Sequence, residues 1–218
     1  MIKQIKYSNH FSDIFINDSR YLIMWGGAGS GKSYHAALKQ IIRCLSEPGH
    51  RILLVRKVAR TIKESVFKIV YDILLQNELL SLCTINLTDK SFRFNNGSEI
   101  ITTGLDDVEK LKSIHAITSM WIEEATELDK SDLDQLDLRL RGETKFYKQI
   151  IITFNPIDET HWLHSEFFEG EIKNCFTHWS NYTHNDFIDE EYLNVLQDRI
   201  SGDENMYRIY VLGKCDVS

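Results

Sequence analysis

Tyr21-Leu22-Ile23-Met24-Trp25-Gly26-Gly27-Ala28-Gly29-Ser30-Gly31-Lys32-Ser33 is the stretch that decides the architecture. Its first five residues form an apolar run of the length and character of a buried parallel strand. Its last eight fit G-x-x-x-x-G-K-[ST] at every fixed position. From Lys32 onward apolar residues recur at helical spacing (Ala37, Leu38, Ile41, Ile42, Leu45), and Pro48-Gly49 closes the run. Strand, glycine turn and helix in that order are what a phosphate-binding loop needs. Glycines accept positive φ and let several N–H groups surround one anion. The helix behind them starts with its positive dipole end toward that anion. By average residue usage the pattern arises in on the order of one chain in a hundred of this length. Its flanking strand and helix lower those odds further. Gly26, Gly27, Ala28, Gly29, Ser30, Gly31, Lys32 and Ser33 are therefore the expected cradle for ATP. Lys32 would reach the β- and γ-phosphates, and the Ser33 hydroxyl would bind Mg²⁺.

Downstream, strand-like and helix-like segments alternate. Arg51 to Val55 reads as a second buried strand and Thr61 to Leu80 as a helix. Ser91-Phe92-Arg93-Phe94 and Glu99-Ile100-Ile101-Thr102 flank Asn95-Asn96-Gly97-Ser98, and Asn-Gly is a strong hairpin signal. Ile117 to Ile122 is a strand, Lys130 to Leu140 a helix, and Gln149 to Phe154 a buried strand stopped by Asn155-Pro156. A last strand is expected over Cys175 to Trp179, and closing helices over Glu190 to Ile200 and Asn205 to Leu212. The fold expected is α/β, a P-loop NTPase of the additional-strand type. Its mainly parallel central sheet would have helices on both faces and an antiparallel hairpin at the edge.

The strand over Ile117 to Ile122 runs into Glu123-Glu124. Paired acids at a strand end are frequent in proteins generally; about ninety residues after a phosphate loop they acquire a task. A hard cation wants oxygen ligands and an attacking water needs an acceptor. In P-loop ATPases of the additional-strand type the first acid helps hold Mg²⁺ and the next polarises the water, and by that resemblance Glu123 is assigned to the metal and Glu124 to the water. Asp is commoner at the first position in such ATPases, so Glu123 implies a slightly different metal shell. Thr153 and Asn155 end the neighbouring strand, where they can sense the γ-phosphate or the water.

Composition limits the partners. At 218 residues the chain is long enough for one well-buried α/β domain and short for two. A net charge of −7 argues against a protein that coats nucleic acid with a basic stripe. Basic residues do gather at Arg56, Lys57, Arg60 and Lys63, and at Arg139 and Arg141. No apolar run could span a membrane, and the N-terminus lacks an apolar signal core. Cys44, Cys83, Cys175 and Cys215 form no C-x-x-C pair, so reduced thiols in a cytosol are expected. Among the histidines no metalloprotease-like spacing occurs, and His161, His164, His178 and His184 read as packing or surface residues. Tyr7, Asn9, Phe11 and Arg20 are weak candidates to touch adenine.

Taken together, these segments resemble the ATPase domain of phage terminase large subunits, in the PBSX-like branch of that family. The resemblance covers nearly the whole chain. It runs from Trp25–Ser33 through Leu54-Val55-Arg56-Lys57, Trp121–Leu128, Leu138-Arg139-Leu140-Arg141-Gly142 and Ile152–Pro156. It ends at Asn181–Ile188 and Tyr207–Gly213. What it implies is an ATP-hydrolysing motor that moves double-stranded DNA into a procapsid in the host cytoplasm. Such motors form a homo-oligomeric ring on the portal protein, and a terminase small subunit selects the DNA. Thr153 to Pro156 would correspond to the family's coupling motif. Many relatives carry an arginine where Ala28 stands, so charge stabilisation must come from elsewhere. Arg56, Arg139 and Arg141 are the candidates, acting here or on a neighbouring subunit's ATP. Residues 1–218 are expected to be a single P-loop ATPase domain without the family's nuclease domain, and no nuclease activity is expected of them. A helicase-like DNA-remodelling ATPase and a non-hydrolysing nucleotide-binding assembly module are the alternatives.

Overall fold

Apolar strands and amphipathic helices assemble as the alternation predicts. The computed structural model describes residues 5–200 and 207–208. Its helices are α1 (Ser12–Ile16), α2 (Lys32–Ser46), α3 (Val66–Gln76), α4 (Val108–Ser113), α5 (Lys130–Asp137), α6 (Trp162–His164) and α7 (Glu190–Ile200). Its strands are β1 (Tyr21–Gly26), β2 (Arg51–Arg56), β3 (Cys83–Asn86), β4 (Ser91–Phe94), β5 (Glu99–Gly104), β6 (Ser119–Glu123), β7 (Gln149–Phe154) and β8 (Cys175–Ser180).

The strands form one sheet in the order β3-β4-β5-β2-β6-β7-β1-β8. From β5 to β8 every neighbouring pair is parallel, while β4 runs antiparallel to both β5 and β3. β6 and β7 are buried along their whole length, which is why they read as continuous apolar runs and not as alternating ones. Side chains of successive residues leave opposite faces of the sheet. Leu22 and Met24 of β1 thus enter a core shared with Leu38, Ile41, Val70 and Trp121, while Ile23 joins Val55, Ile122, Leu136 and Ile152 on the other side. Helices α2 and α3 cover the first face. The strand β7 lies between β1 and β6, so α2 must cross over β6 and β7 to connect β1 with β2. That crossing aims the first turn of α2 at the ends of those two strands.

Several boundaries differ from the sequence expectation. The helix expected over Thr61 to Leu80 is regular only from Val66 to Gln76. Glu78 adopts φ +60°, and Leu79 N–H bonds Leu74 O at 2.8 Å, a Schellman-type stop that apolar periodicity does not reveal. The helix begun at Lys130 ends at Asp137 and not at Leu140; the last three residues form a tight turn with Leu138 in solvent. The strand expected over Ile117 to Ile122 is displaced and includes Glu123 itself. The edge hairpin gains a third strand, β3, and the short helices α1, α4 and α6 lie outside the segments with helical periodicity. The closing helix expected over Asn205 to Leu212 falls outside the described residues, apart from Tyr207 and Arg208. No helix among the described residues is long and apolar enough to cross a membrane. Cys44, Cys83 and Cys175 are free thiols.

Candidate nucleotide site

The carboxyl ends of β1, β7 and β6 bring together residues from three distant parts of the chain. Register pairs Met24 with Thr153 and Thr153 with Glu123, so the loop after β1 and the acidic end of β6 flank the end of β7. Gly26 is obligatory at the turn. Its φ is +134°, and a β-carbon there would lie 1.8 Å from the Ser180 carbonyl oxygen of β8. Gly27 N–H donates to that same oxygen at 3.0 Å, so β8 holds the root of the loop.

Lys32, in the first turn of α2, folds back over the loop. Its Nζ donates to Gly26 O (2.8 Å), Gly27 O (2.7 Å) and Ser30 Oγ (3.1 Å), and it reaches Asn155 Oδ1 at 3.3 Å. Burial pushes its ammonium down to about 8, against the opposing pull of Glu123 and Glu124.

Ser33 Oγ donates to Glu123 Oε1 at 2.6 Å, and Thr153 Oγ1 donates to the other oxygen of the same carboxylate. The indole N–H of Trp121 donates to Thr153 Oγ1 at 2.8 Å, which leaves that hydroxyl free to point its proton at Glu123. Burial raises the Glu123 pKa, and the hydrogen bonds from Ser33 and Thr153 work against that rise. A hydroxyl and a carboxylate converging at this distance form a hard oxygen donor set that fits Mg²⁺, which takes few protein ligands and completes its shell with phosphate and water.

Glu124 leaves the end of β6 in the left-handed region, φ +55° and ψ +53°, uncommon for a residue with a side chain. Its carbonyl accepts from Glu127 N–H at 3.0 Å, which pins the turn. Lys32, Ser33, Glu123, Glu124, Thr153 and Asn155 line one cavity of about 210 Å³. A larger cavity of about 710 Å³ opens on the other side of Gly31, walled by Lys6, Tyr34, Asn185 and Phe187 among others.

The three arginines go to different places. Arg56 ends β2 beside β6 and pairs with Glu127 at 3.1 Å. Arg139 reaches the Ile114 carbonyl at 3.4 Å, and Arg141 precedes Gly142, whose N–H bonds Ile117 O. Arg141 lines a cleft with Gly49, His50 and Glu99 at the amino ends of β2 and β5, whereas Arg139 shares a cavity with Leu105 and Asp132; neither lines the cavity of Lys32 and Glu123. Of the residues considered for adenine, Arg20 precedes β1 at the end opposite the loop and pairs with Asp137 at 2.7 Å, and Phe11 is fully buried. Neither can meet a base. Trp121, Ser180 and Asn185 were not expected as site residues; only their contacts across the fold reveal them. His161 and His184 accept from backbone N–H groups of Leu163 and Asn181, and His178 is buried beside Asp13.

A phosphate loop separated from its acidic pair by one inserted strand defines a P-loop nucleotide-binding domain of the additional-strand class. The family described as phage terminase large subunit matches residues 18–214, and the chain belongs to it. Among relatives, the PBSX phage terminase large subunit of Bacillus subtilis (strain 168) is 32% identical over an alignment of 239 residues that takes in all of this chain and 54% of that protein. This chain spans about half the length of the curated relatives it matches. Among solved structures, the large terminase of a thermophilic bacteriophage superposes with a TM-score of 0.79 at 14% identity, over 95% of this chain and 53% of that one. The same terminase in complex with ATP-gamma-S gives 0.76 at 14% identity, over 95% and 52%. At that identity the likeness is one of fold.

Proposed function

We propose that the chain is the ATPase motor domain of a terminase large subunit, hydrolysing ATP to drive double-stranded DNA into a procapsid. The observation that carries this reading is the convergence of Lys32, Ser33, Glu123, Glu124 and Asn155 on one cavity at a phosphate loop. Loop amides and the helix end bind the phosphates, and Lys32 exchanges its neutral carbonyl partners for the β- and γ-oxygens. Ser33 and Glu123 would hold Mg²⁺, which supplies charge neutralisation on the same oxygens. Glu124 accepts a hydrogen bond from the attacking water and takes its proton as the water oxygen bonds to the γ-phosphorus and the bridging P–O bond breaks, ADP leaving with that bond's electrons. The ATP-gamma-S complex of the thermophilic phage terminase supports the first of these roles by family kinship.

Coupling follows from β7. Asn155 touches Lys32 and Thr153 touches Glu123, so both events at the site, phosphate arrival and phosphate loss, pull on the end of one strand. Residues 1–218 act as one ATPase domain in this reading. Its partners are duplex DNA, the portal protein, the terminase small subunit and further copies in a ring, in the host cytoplasm. Arg139 and Arg141, neither of which lines the cavity at the loop, are assigned to a neighbouring subunit's nucleotide; Arg56 remains the candidate within the chain.

The test is Glu124→Gln. Turnover of ATP by purified protein is expected to fall by about 10²–10⁴, while Mg·ATP still binds. Equal turnover in both proteins would remove Glu124 as the base.

A further inference from the structure

The segment Asn181 to Ile188, between β8 and α7, belongs to the family-like pattern but has no task in the mechanism above. Its contacts supply one. Asn185 Nδ2 donates to the Gly29 carbonyl in the middle of the phosphate loop, at 2.8 Å. Its other amide atom accepts from Phe187 N–H at 3.1 Å, which fixes which end of the carboxamide faces the loop. The next residue, Asp186, donates its N–H to Ser8 Oγ at 3.1 Å. Ser8 N–H donates to His35 Nε2 at 3.0 Å. A backbone N–H can only donate, so His35 Nε2 is the acceptor and Nδ1 carries the proton, which it gives to Gly31 O at 2.8 Å. Ser8 and His35 are buried, and Phe11 stacks on the imidazole with ring centroids 3.8 Å apart. The hydrogen bonds thus form a closed circuit that leaves the loop at Gly29 and re-enters it at Gly31.

Peptide planarity turns this circuit into chemistry. The carbonyl of one residue and the N–H of the next lie in one plane and point in opposite directions. Holding Gly29 O outward therefore aims Ser30 N–H inward, toward the position of the phosphates. The helical bond from His35 N–H already holds Gly31 O. Gly29, at φ +70°, has no such support from α2 and no side chain to restrict it. The segment's last residue and the start of α7 also close sterically on Gly29: a β-carbon there would lie 3.3 Å from Ile188 and 2.7 Å from Tyr192.

We infer that Asn185 is a positioning residue of the phosphate loop, which aims the Ser30 amide at bound phosphate and is itself anchored through Ser8 and His35. This rests on the nucleotide-binding reading above. It adds a residue 156 positions from Gly29 to the machinery of phosphate recognition.

The experiment compares wild type, Asn185→Asp, Asn185→Ala and Ser8→Ala by calorimetry with Mg·ATP and with Mg·tripolyphosphate, which lacks base and ribose, alongside steady-state ATPase kinetics and thermal melts. Asn185→Asp keeps the oxygen that accepts from Phe187 but loses the donor to Gly29 and adds a charge. It is expected to weaken both ligands by the same factor, about 10-fold, and to raise KM with kcat unchanged. Asn185→Ala, run beside it, loses the donor without the charge, and wild-type affinity in Asn185→Ala would assign the effect to repulsion and overturn the inference. Ser8→Ala, which touches no ligand, is expected to move both in the same direction by less. Wild-type Kd values in Asn185→Asp accompanied only by a lower Tm would mean a structural role and overturn the inference. A loss confined to ATP would mean a contact with the nucleoside and would also overturn it. Wild-type protein that binds neither ligand would defeat the proposed function itself, a result separable from both.

Discussion

The two ends of α2 each bury a cation against the same sheet, and they treat it in opposite ways. Arg43, near the helix end, is satisfied within the chain. Its guanidinium bonds Glu47 at 3.0 Å, Ser119 Oγ at 3.0 Å and the Tyr147 carbonyl at 2.6 Å, and it lies 3.8 Å from the Tyr147 ring centre. His50 closes the group against both Arg43 and Glu47. Lys32, in the first turn, is nearly as buried, yet its partners are neutral oxygens of its own loop and of Asn155, and it makes no ion pair among the described residues. A cation neutralised by a neighbouring carboxylate stabilises the fold. A cation surrounded by carbonyls beside an open cavity keeps its charge for an incoming anion.

The largest expected effects test that contrast directly. Lys32→Ala is expected to weaken Mg·ATP by about 100-fold or more, since it deletes charge-assisted bonds to phosphate. Its thermal midpoint should change little, because a desolvated charge is removed along with its bonds. Arg43→Met is expected to do the reverse. Removing one partner of a buried pair costs about 3–5 kcal/mol, and Glu47 and His50 would be left behind, while nucleotide affinity of the folded protein should be unaltered. Chemical denaturation and calorimetry on both variants decide the matter. Equal stability losses would erase the distinction between the two ends.

The same contrast explains how much was legible beforehand. Lys32 could be read because its surroundings are eight consecutive residues, and the buried parallel strands β1, β2 and β7 because apolar runs carry their own signature. Arg43 could not, because Ser119 and Tyr147 reach it only through the fold. The acids at Glu123 and Glu124 were visible as a strand ending in charge, but the Trp121–Thr153–Glu123 relay depends on register between β6 and β7. Apolar spacing runs past the true end of α3 because Leu80 continues it after Glu78 has reversed the backbone. Asn185 lies inside a family-like pattern, but its partner Gly29 is 156 positions away and only the fold brings the two together.

A second, smaller effect sharpens the Lys32 side of the comparison. Desolvation holds its pKa near 8, below the ordinary 10.5, so the folded ligand-free protein binds this proton less tightly than the unfolded chain does. Between these values the unfolded state carries more protons, and this group's contribution to stability rises with pH. Phosphate oxygens arriving beside Nζ favour the charged form and raise the pKa again. Nucleotide binding at pH 9 should therefore take up close to one proton, and at pH 7 almost none. Affinity should fall by up to about 10-fold per pH unit above pH 8. Titrations at both pH values in two buffers of different ionisation heat measure the uptake. Binding with no proton uptake at pH 9 would mean that Lys32 is already fully charged, and that its burial is not what sets it apart from Arg43.

The smallest effect concerns a third cation, intermediate between the other two. Arg56 pairs with Glu127, whose side chain is 43% exposed. The Arg56 side chain is only 12% exposed, but the glutamate end of the pair is open to water, and a pair screened in this way contributes about 0–1 kcal/mol because water replaces what the glutamate gave. Glu127→Gln is therefore expected to shift the denaturation midpoint by less than about 1 kcal/mol, leaving Arg56 able to leave its partner at small cost and turn toward the charge that develops at the phosphates. A loss approaching that of Arg43→Met would put Arg56 with the structural cations. It would then drop out of the candidates for stabilising that charge, and the arginine would have to come from a neighbouring subunit.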